Sequence, residues 1–239
     1  MEIRGESQNK YWSNRAHTYG HQYGLDTETA KIKVKRKVNE MAKYLDFNVG
    51  KIIECGCGTG LFTKEFLRLN PKLLSTDLSS DMIGVARKYC PEGNFMQLDA
   101  RKMNLSDESY DVVVSSFLLQ HVETELVLPE MYRILKPNGC LGAFVPNILN
   151  PLHYSRARVG FMRSILHENS QSEDFNRWQW EKILSRQGFN SIVVRPIEFT
   201  SPYLPLGILP LATKISEILE RLPLIKEFAG SLLIVARKV

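Results

Sequence analysis

The segment Ile52-Ile53-Glu54-Cys55-Gly56-Cys57-Gly58-Thr59-Gly60 constrains this chain more than any other. An apolar run ends in an acid and breaks into glycines at alternate positions, after which Leu61, Phe62, Phe66 and Leu67 restore helical spacing. Glycine permits a tight turn and lets a ligand approach the backbone with no Cβ in the way, while the first turn of the following helix offers unpaired N–H groups. Such a strand–turn–helix belongs at the carboxyl edge of a parallel sheet, the edge where open α/β sheets bind ligands.

The rest of the chain fits that frame. Apolar runs rich in Ile and Val predict strands near 51–55, 72–77, 94–98, 110–115, 140–145, 191–197 and 231–237. Amphipathic spacing predicts helices over 61–69, 80–89, 123–135 and 176–187, with Ser79 or Ser80 as an N-cap and Gly188 as a stop. The fold class expected is α/β, a Rossmann-like seven-stranded and mostly parallel sheet with helices on both faces and an antiparallel last strand. A helical region, about 8–46, precedes the sheet. Two stretches, 146–173 and 198–230, break the alternation and are expected to form the walls of a substrate pocket or a dimer interface. At 239 residues and 44% hydrophobic, the chain suits a single domain with these additions.

Two further acids join the glycine turn. Asp77 ends the second strand, 77 − 56 = 21 residues after Gly56, where a carboxylate accepts hydrogen bonds from ribose hydroxyls. Asp99 ends the third, placed to receive the exocyclic amine of adenine. An acid at a strand's end also serves simply to cap the next helix. Three acids around one turn are harder to explain that way. Nicotinamide and flavin sites call for GxGxxG, whereas this turn reads GxGxG with Glu54 beside it. A carboxylate there opposes a pyrophosphate and suits a cationic ligand with an ammonium and a sulfonium.

ExGxGxG, Asp77, Asp99 in LDA, then YDVVVSSFLLQHV and LPEMYRILKPNG together resemble the class I S-adenosylmethionine-dependent methyltransferases, and most nearly the branch that includes the ubiquinone and menaquinone biosynthesis enzymes. The likeness covers about 8–145. It implies S-adenosylmethionine as cofactor, with S-adenosylhomocysteine as product. By that likeness the loop Glu54, Gly56, Cys57, Gly58 and Gly60 lines the methionine part and Asp77 holds the ribose. Leu78 and Met82 flank adenine, Asp99 and Ala100 meet its edge, and Ser115, Ser116 and Phe117 lie beneath the cofactor. Residues 1–46 become a helical lid in which Tyr11, Trp12 and Tyr19 resemble the family's aromatic lid residues and Arg15 steadies the lid or the cofactor carboxylate. Aromatic faces stabilise a sulfonium and exclude water.

The acceptor is less constrained. Ser115-Ser116-Phe117-Leu118 stands where the family's DNA amino-methylating members carry Asn/Asp-Pro-Pro-Tyr, which leaves oxygen, carbon or small-molecule nitrogen as targets. His17, His21, His121 and His153 are candidate bases, since imidazole titrates near neutral pH; His121, His153 and His17 are the catalytic candidates retained. No carboxylate-rich metal pattern accompanies them. The apolar run 198–230 hints at a lipid-like, prenylated or aromatic acceptor, or else packs as a helix on the sheet edge through Ile215, Ile218, Leu219 and Leu222.

Net charge is +5, and Lys31, Lys33, Lys35, Arg36 and Lys37 crowd one helix. With Val34, Val38, Met41 and Leu45 forming its apolar stripe, these cations read as a solvated outer face; RNA methylation through them is the rival, and a non-catalytic cofactor-binding module is another. The N-terminus is polar where a secretory signal would be apolar, and no stretch reaches the ~20 apolar residues of a spanning helix. The four cysteines are too scattered for a disulfide framework. The expectation is a cytoplasmic protein with reduced thiols and a small-molecule partner, with nucleic acid disfavoured and room for a homodimer or peripheral membrane contact.

Overall fold

The computed structural model describes residues 2–22, 27–48, 50–151, 175–201 and 203–239. Helices α1 (Glu2–Ser13), α2 (Tyr19–Gln22) and α3 (Glu28–Met41) precede β1 (Ile52–Cys55), α4 (Leu61–Leu69), β2 (Leu74–Asp77), α5 (Ser80–Tyr89), β3 (Asn94–Gln97) and β4 (Tyr110–Ser116). Then follow α6 (Thr124–Ile134), β5 (Leu135–Pro146), α7 (Arg177–Arg186), β6 (Phe189–Ile197), α8 (Leu209–Leu219) and β7 (Ser231–Lys238).

The strands form one seven-stranded sheet in the order β3-β2-β1-β4-β5-β7-β6. β1 runs parallel to β2 and β4, with Ile53 opposite Leu74 and Glu54 opposite Val114. β7 is antiparallel to both neighbours, Ala143 facing Ile234 and Val194 facing Ile234 on the other side. This is the expected architecture, antiparallel last strand included.

Side chains alternate across each strand, so neighbouring residues feed different cores. Ile52, Val112, Val114 and Phe144 pack with Val34, Met41, Phe66 and Ile83 under α3–α5. Ile53, Val113, Leu141 and Ile234 pack with Met131, Trp180 and Leu184 under α6 and α7. Local caps agree with the sequence: Ser79 Oγ accepts from the Met82 N–H at 3.2 Å, and Gly188 adopts φ 99 after α7. β5 begins five residues before the predicted 140, because Leu135 already pairs with Tyr110 and the turn residues Pro137-Asn138-Gly139 form an irregularity within the strand.

Two sequence readings are corrected. On α3 the apolar stripe is as predicted, with Val34, Val38 and Met41 buried, and Lys35 is exposed, but Lys33, Arg36 and Lys37 are not part of a solvated face. Lys37 is 5% exposed, Lys33 donates to the Thr200 carbonyl at 2.6 Å, and Arg36 bridges to Glu220 at 2.7 Å. Positions 34, 37, 38 and 41 share one helix face, so Lys37 lies on the buried stripe by periodicity alone. On α8 the packed residues are Leu209 and Ser216, whereas Ile215 and Ile218 are 47% and 59% exposed. The polar side turns inward because Ser216 Oγ binds the Phe199 N–H and Glu220, and Glu220 serves Arg36. No helix among the described residues is long and apolar enough to cross a membrane.

Candidate active site

The carboxyl edge of the sheet opens into a cavity of about 550 Å³. At its first end lies the glycine turn. The N–H groups of Gly56 and Cys57 both donate to the Thr76 carbonyl, at 2.8 and 2.9 Å, which locks the turn to β2. Gly56, Gly58 and Gly60 all adopt positive φ, 75, 52 and 87, a region open to glycine. Their surroundings separate their roles. A Cβ on Gly60 would lie 3.2 Å from Ala86, so that glycine lets α4 approach α5. A Cβ on Gly58 would meet nothing within 4 Å, leaving a backbone face open to a ligand.

Asp77 fixes the loop from the side. Its Oδ2 accepts from the Gly58 N–H at 2.8 Å and its Oδ1 from the Ser79 N–H at 2.9 Å. Burial raises its pKa, opposed by these backbone donors. Asp99 is held in a fork by Arg101, at 2.9 and 2.7 Å; burial would raise its pKa, but the guanidinium wins and keeps the carboxyl below its ordinary value.

The wall brings together most of the expected residues: Tyr11, Trp12, Tyr19, Gly56, Cys57, Gly58, Asp77, Leu78, Met82, Asp99, Ala100, Ser116, Phe117 and His121. Trp12 meets Tyr11, Tyr19 and His121 edge-on, at ring separations of 5.0, 5.8 and 5.0 Å, and α1 is tied to the α5 cap through Ser13 Oγ and Ser79 Oγ at 2.9 Å. Arg15, Glu54, Gly60 and Ser115 lie outside the wall. Arg15 sits over the Tyr11 ring, 4.2 Å from its centroid. Ser115 is fully buried in β4. His17 is exposed and apart from the cavity, and His153 falls outside the described residues.

Glu54 stands behind the loop, fully buried, its Oε2 accepting from Thr63 Oγ1 at 2.6 Å and Ser75 Oγ at 2.8 Å. Burial pushes its pKa up to about 7 against these donors. Between its ordinary value and about 7 the folded state therefore holds a proton that the unfolded chain has released. Stability is present below that window and falls as pH rises through it, by about 3 kcal/mol at most. Urea unfolding of the wild type from pH 5 to pH 8 is expected to show this decline, and Glu54→Gln to flatten it; equal slopes would remove Glu54 as the cause.

The far end of the cavity is built from residues that the sequence did not single out as site residues, some of them in the 198–230 stretch expected to wall a pocket or a dimer interface. Lys33 and Lys37 from α3, Glu198, Phe199 and Thr200 after β6, Tyr203, and Ser231 at the start of β7 line it, with Phe62 and Phe117 between the two ends. β2 and β7 are four strands apart in the sheet, roughly 19 Å at about 4.8 Å per step. The signal for Lys37 was its place on the apolar stripe of α3. For Glu198 there was none, since its partners arrive from α3 and from the turn after α8.

Comparison with known proteins adds to this geometry. Residues 53–142 match the family model described as a methyltransferase domain. An uncharacterized methyltransferase-like protein of Schizosaccharomyces pombe is 29% identical over 59% of this chain, and the match spans 54% of that protein, so this chain covers about half the length of that relative. The malonyl-acyl-carrier-protein O-methyltransferase of Halalkalibacterium halodurans is 28% identical over 77% of this chain and 72% of its own length. A S-adenosylmethionine-dependent methyltransferase of known structure from Thermotoga maritima superposes with a TM-score of 0.71 at 20% identity, covering 95% of this chain and 98% of that one, a likeness of fold. Residues 53–142 thus match a methyltransferase domain, and the glycine turn and the acids at successive strand ends that lie within them resemble those of the class I S-adenosylmethionine-dependent methyltransferases.

Proposed function

We propose that the chain transfers the methyl group of S-adenosylmethionine to an oxygen or carbon of a small hydrophobic or aromatic molecule. The observation that carries this reading is one cavity that joins the Gly56–Gly58 loop, Asp77 and Asp99 to an aromatic region of Phe62, Phe117, Phe199 and Tyr203. The residues present fit the cofactor. The open backbone face at Gly58 leaves room for its methionine part, Asp77 suits its ribose, Leu78 and Met82 flank its base, and Asp99 and Ala100 meet the base edge. Trp12 and Tyr19 close over it as part of an N-terminal lid. When bound, the cofactor supplies an electrophilic methyl on a sulfonium. The chain's own task is to align a nucleophile and exclude water, worth several powers of ten in rate.

An RNA acceptor is disfavoured by α3, where Lys33 and Lys37 turn into the protein and Arg36 pairs with Glu198 and Glu220, leaving Lys35 and the Glu28-paired Lys31 as the cations toward solvent. The test is to incubate the protein with methyl-labelled cofactor and a small-molecule extract, then partition the products. Label in the organic phase is the expected result. Label in an added RNA fraction, or cofactor binding without any transfer, would sink the reading.

A further inference from the structure

Lys37 is unusual among the charged groups of this chain. It is buried on the apolar stripe of α3, yet it lines the cavity, and its one hydrogen bond among the described residues goes to Ser231 Oγ at 3.0 Å. An ammonium has three donors, so this leaves donor capacity at the cavity's far end. No carboxylate among the described residues lies within 4.0 Å of Nζ. The charged groups around it are Lys33 and Arg36 on its own helix, Glu198 after β6 and Glu220 after α8. Arg36 is bound by Glu220 at 2.7 Å, and Glu198 is hydrogen-bonded by the Thr200 N–H at 3.0 Å. The Lys37 amine also stands 5.7 Å from the centre of the ring of Phe117, which follows β4 and separates the two ends of the cavity.

We infer that the far end of the cavity takes an acceptor whose reacting group is an acidic hydroxyl, a phenol or an enol, and that Lys37 binds and deprotonates it. This deepens the methyltransferase reading and rests on it. The neutral amine takes the hydroxyl proton, and the oxygen's electron pair forms the bond to the methyl carbon. The carbon–sulfur bond of the cofactor breaks with its electrons staying on sulfur, and the proton on Nζ leaves to solvent. The aromatic walls favour a planar acceptor, and Ser231 orients the amine. Burial, opposed by Glu198 and reinforced by Lys33 and Arg36, brings the amine's pKa down to about 8, so a neutral fraction exists near neutral pH. Burial raises the Glu198 pKa, but Lys37, Lys33, Thr200 and Arg36 outweigh it and keep that carboxylate charged.

The probe is 4-nitrophenol, whose phenolate is yellow and whose phenol is colourless, added to protein saturated with S-adenosylhomocysteine. On the wild type the bound probe is expected to ionise at least about one pH unit lower than free probe, a tenfold preference for the phenolate. Lys37→Met is expected to abolish that shift while holding S-adenosylhomocysteine affinity within about twofold. Lys37→Arg keeps a cation and is expected to retain the shift of bound 4-nitrophenol, which ties the shift to a charge at this position and controls for folding. No probe binding to the loaded wild type, or the same ionisation on wild type and Lys37→Met, overturns the inference. Failure of the wild type to bind S-adenosylhomocysteine at all overturns instead the cofactor reading beneath it.

Discussion

Replacing Asp77 with alanine is expected to weaken S-adenosylhomocysteine binding by about a hundredfold or more. The carboxylate makes two charge-assisted hydrogen bonds to backbone, at Gly58 and Ser79, before any ligand arrives. Each is worth roughly 1.5–3 kcal/mol, and a hundredfold in affinity is about 2.7 kcal/mol. Part of the loss is that of a ligand contact and part is a loosened loop, and the conservative variant divides the two. Asp77→Asn keeps one oxygen acceptor, so it is expected to preserve thermal stability better than alanine while still weakening binding. Calorimetric titration of the three proteins measures both. Wild-type affinity in Asp77→Ala would show that the acids at the strand ends only hold the fold.

The second large effect comes from the glycine turn, where two neighbours should fail differently. A Cβ on Gly56 would fall 2.9 Å from Leu118 Cβ, at a φ of 75 that a β-branched residue resists. Gly56→Val is therefore expected to destabilise the protein by about 3 kcal/mol or more, through clash and backbone strain together. Gly58→Ala meets no protein atom within 4 Å, so its stability loss should be limited to about 1 kcal/mol of left-handed strain. Its methyl would instead occupy the open face offered to the ligand. Thermal melts with and without S-adenosylhomocysteine distinguish them: Gly58→Ala should melt near wild type and lose most of the ligand-induced rise. An undiminished rise would mean that no ligand passes that face.

These contrasts show why some of the site was legible in the sequence. The turn at Gly56–Gly60, Asp77 and Asp99 are local, each set by a strand end and the residues after it, and short-range rules describe such places well. Their spacing sufficed to place them on one edge. Glu54 shows where spacing stops, since it marks the right loop but Thr63 and Ser75 draw its side chain behind the ligand face. Arg15, in the turn that follows α1, joins Tyr11 and stays off the cavity wall.

The individual residues of the far end could not be named from the sequence for a different reason. Its residues come from α3, the segment after β6 and the start of β7, so their meeting is a property of the sheet order. A run of lysines looks solvated until one asks which of them share a face with Val34, Val38 and Met41. α8 misled in the opposite sense, because an apolar sequence was read as inward packing while Ser216 and Glu220 turn its polar side to the protein.

The two ends of the cavity are thus encoded by different parts of the chain. The glycine turn and its acids fall within 53–142, while Lys33, Lys37, Glu198, Thr200 and Ser231 all lie outside it. Substitutions at the far end leave the hydrogen bonds of Gly58 and Asp77 in place, so on the proposed reading acceptor choice can change while the cofactor end keeps its geometry. Such a chain is modular in an evolutionary sense: exchanging α3 and residues 198–231 as a unit should transplant a preference between relatives without rebuilding the domain that powers it.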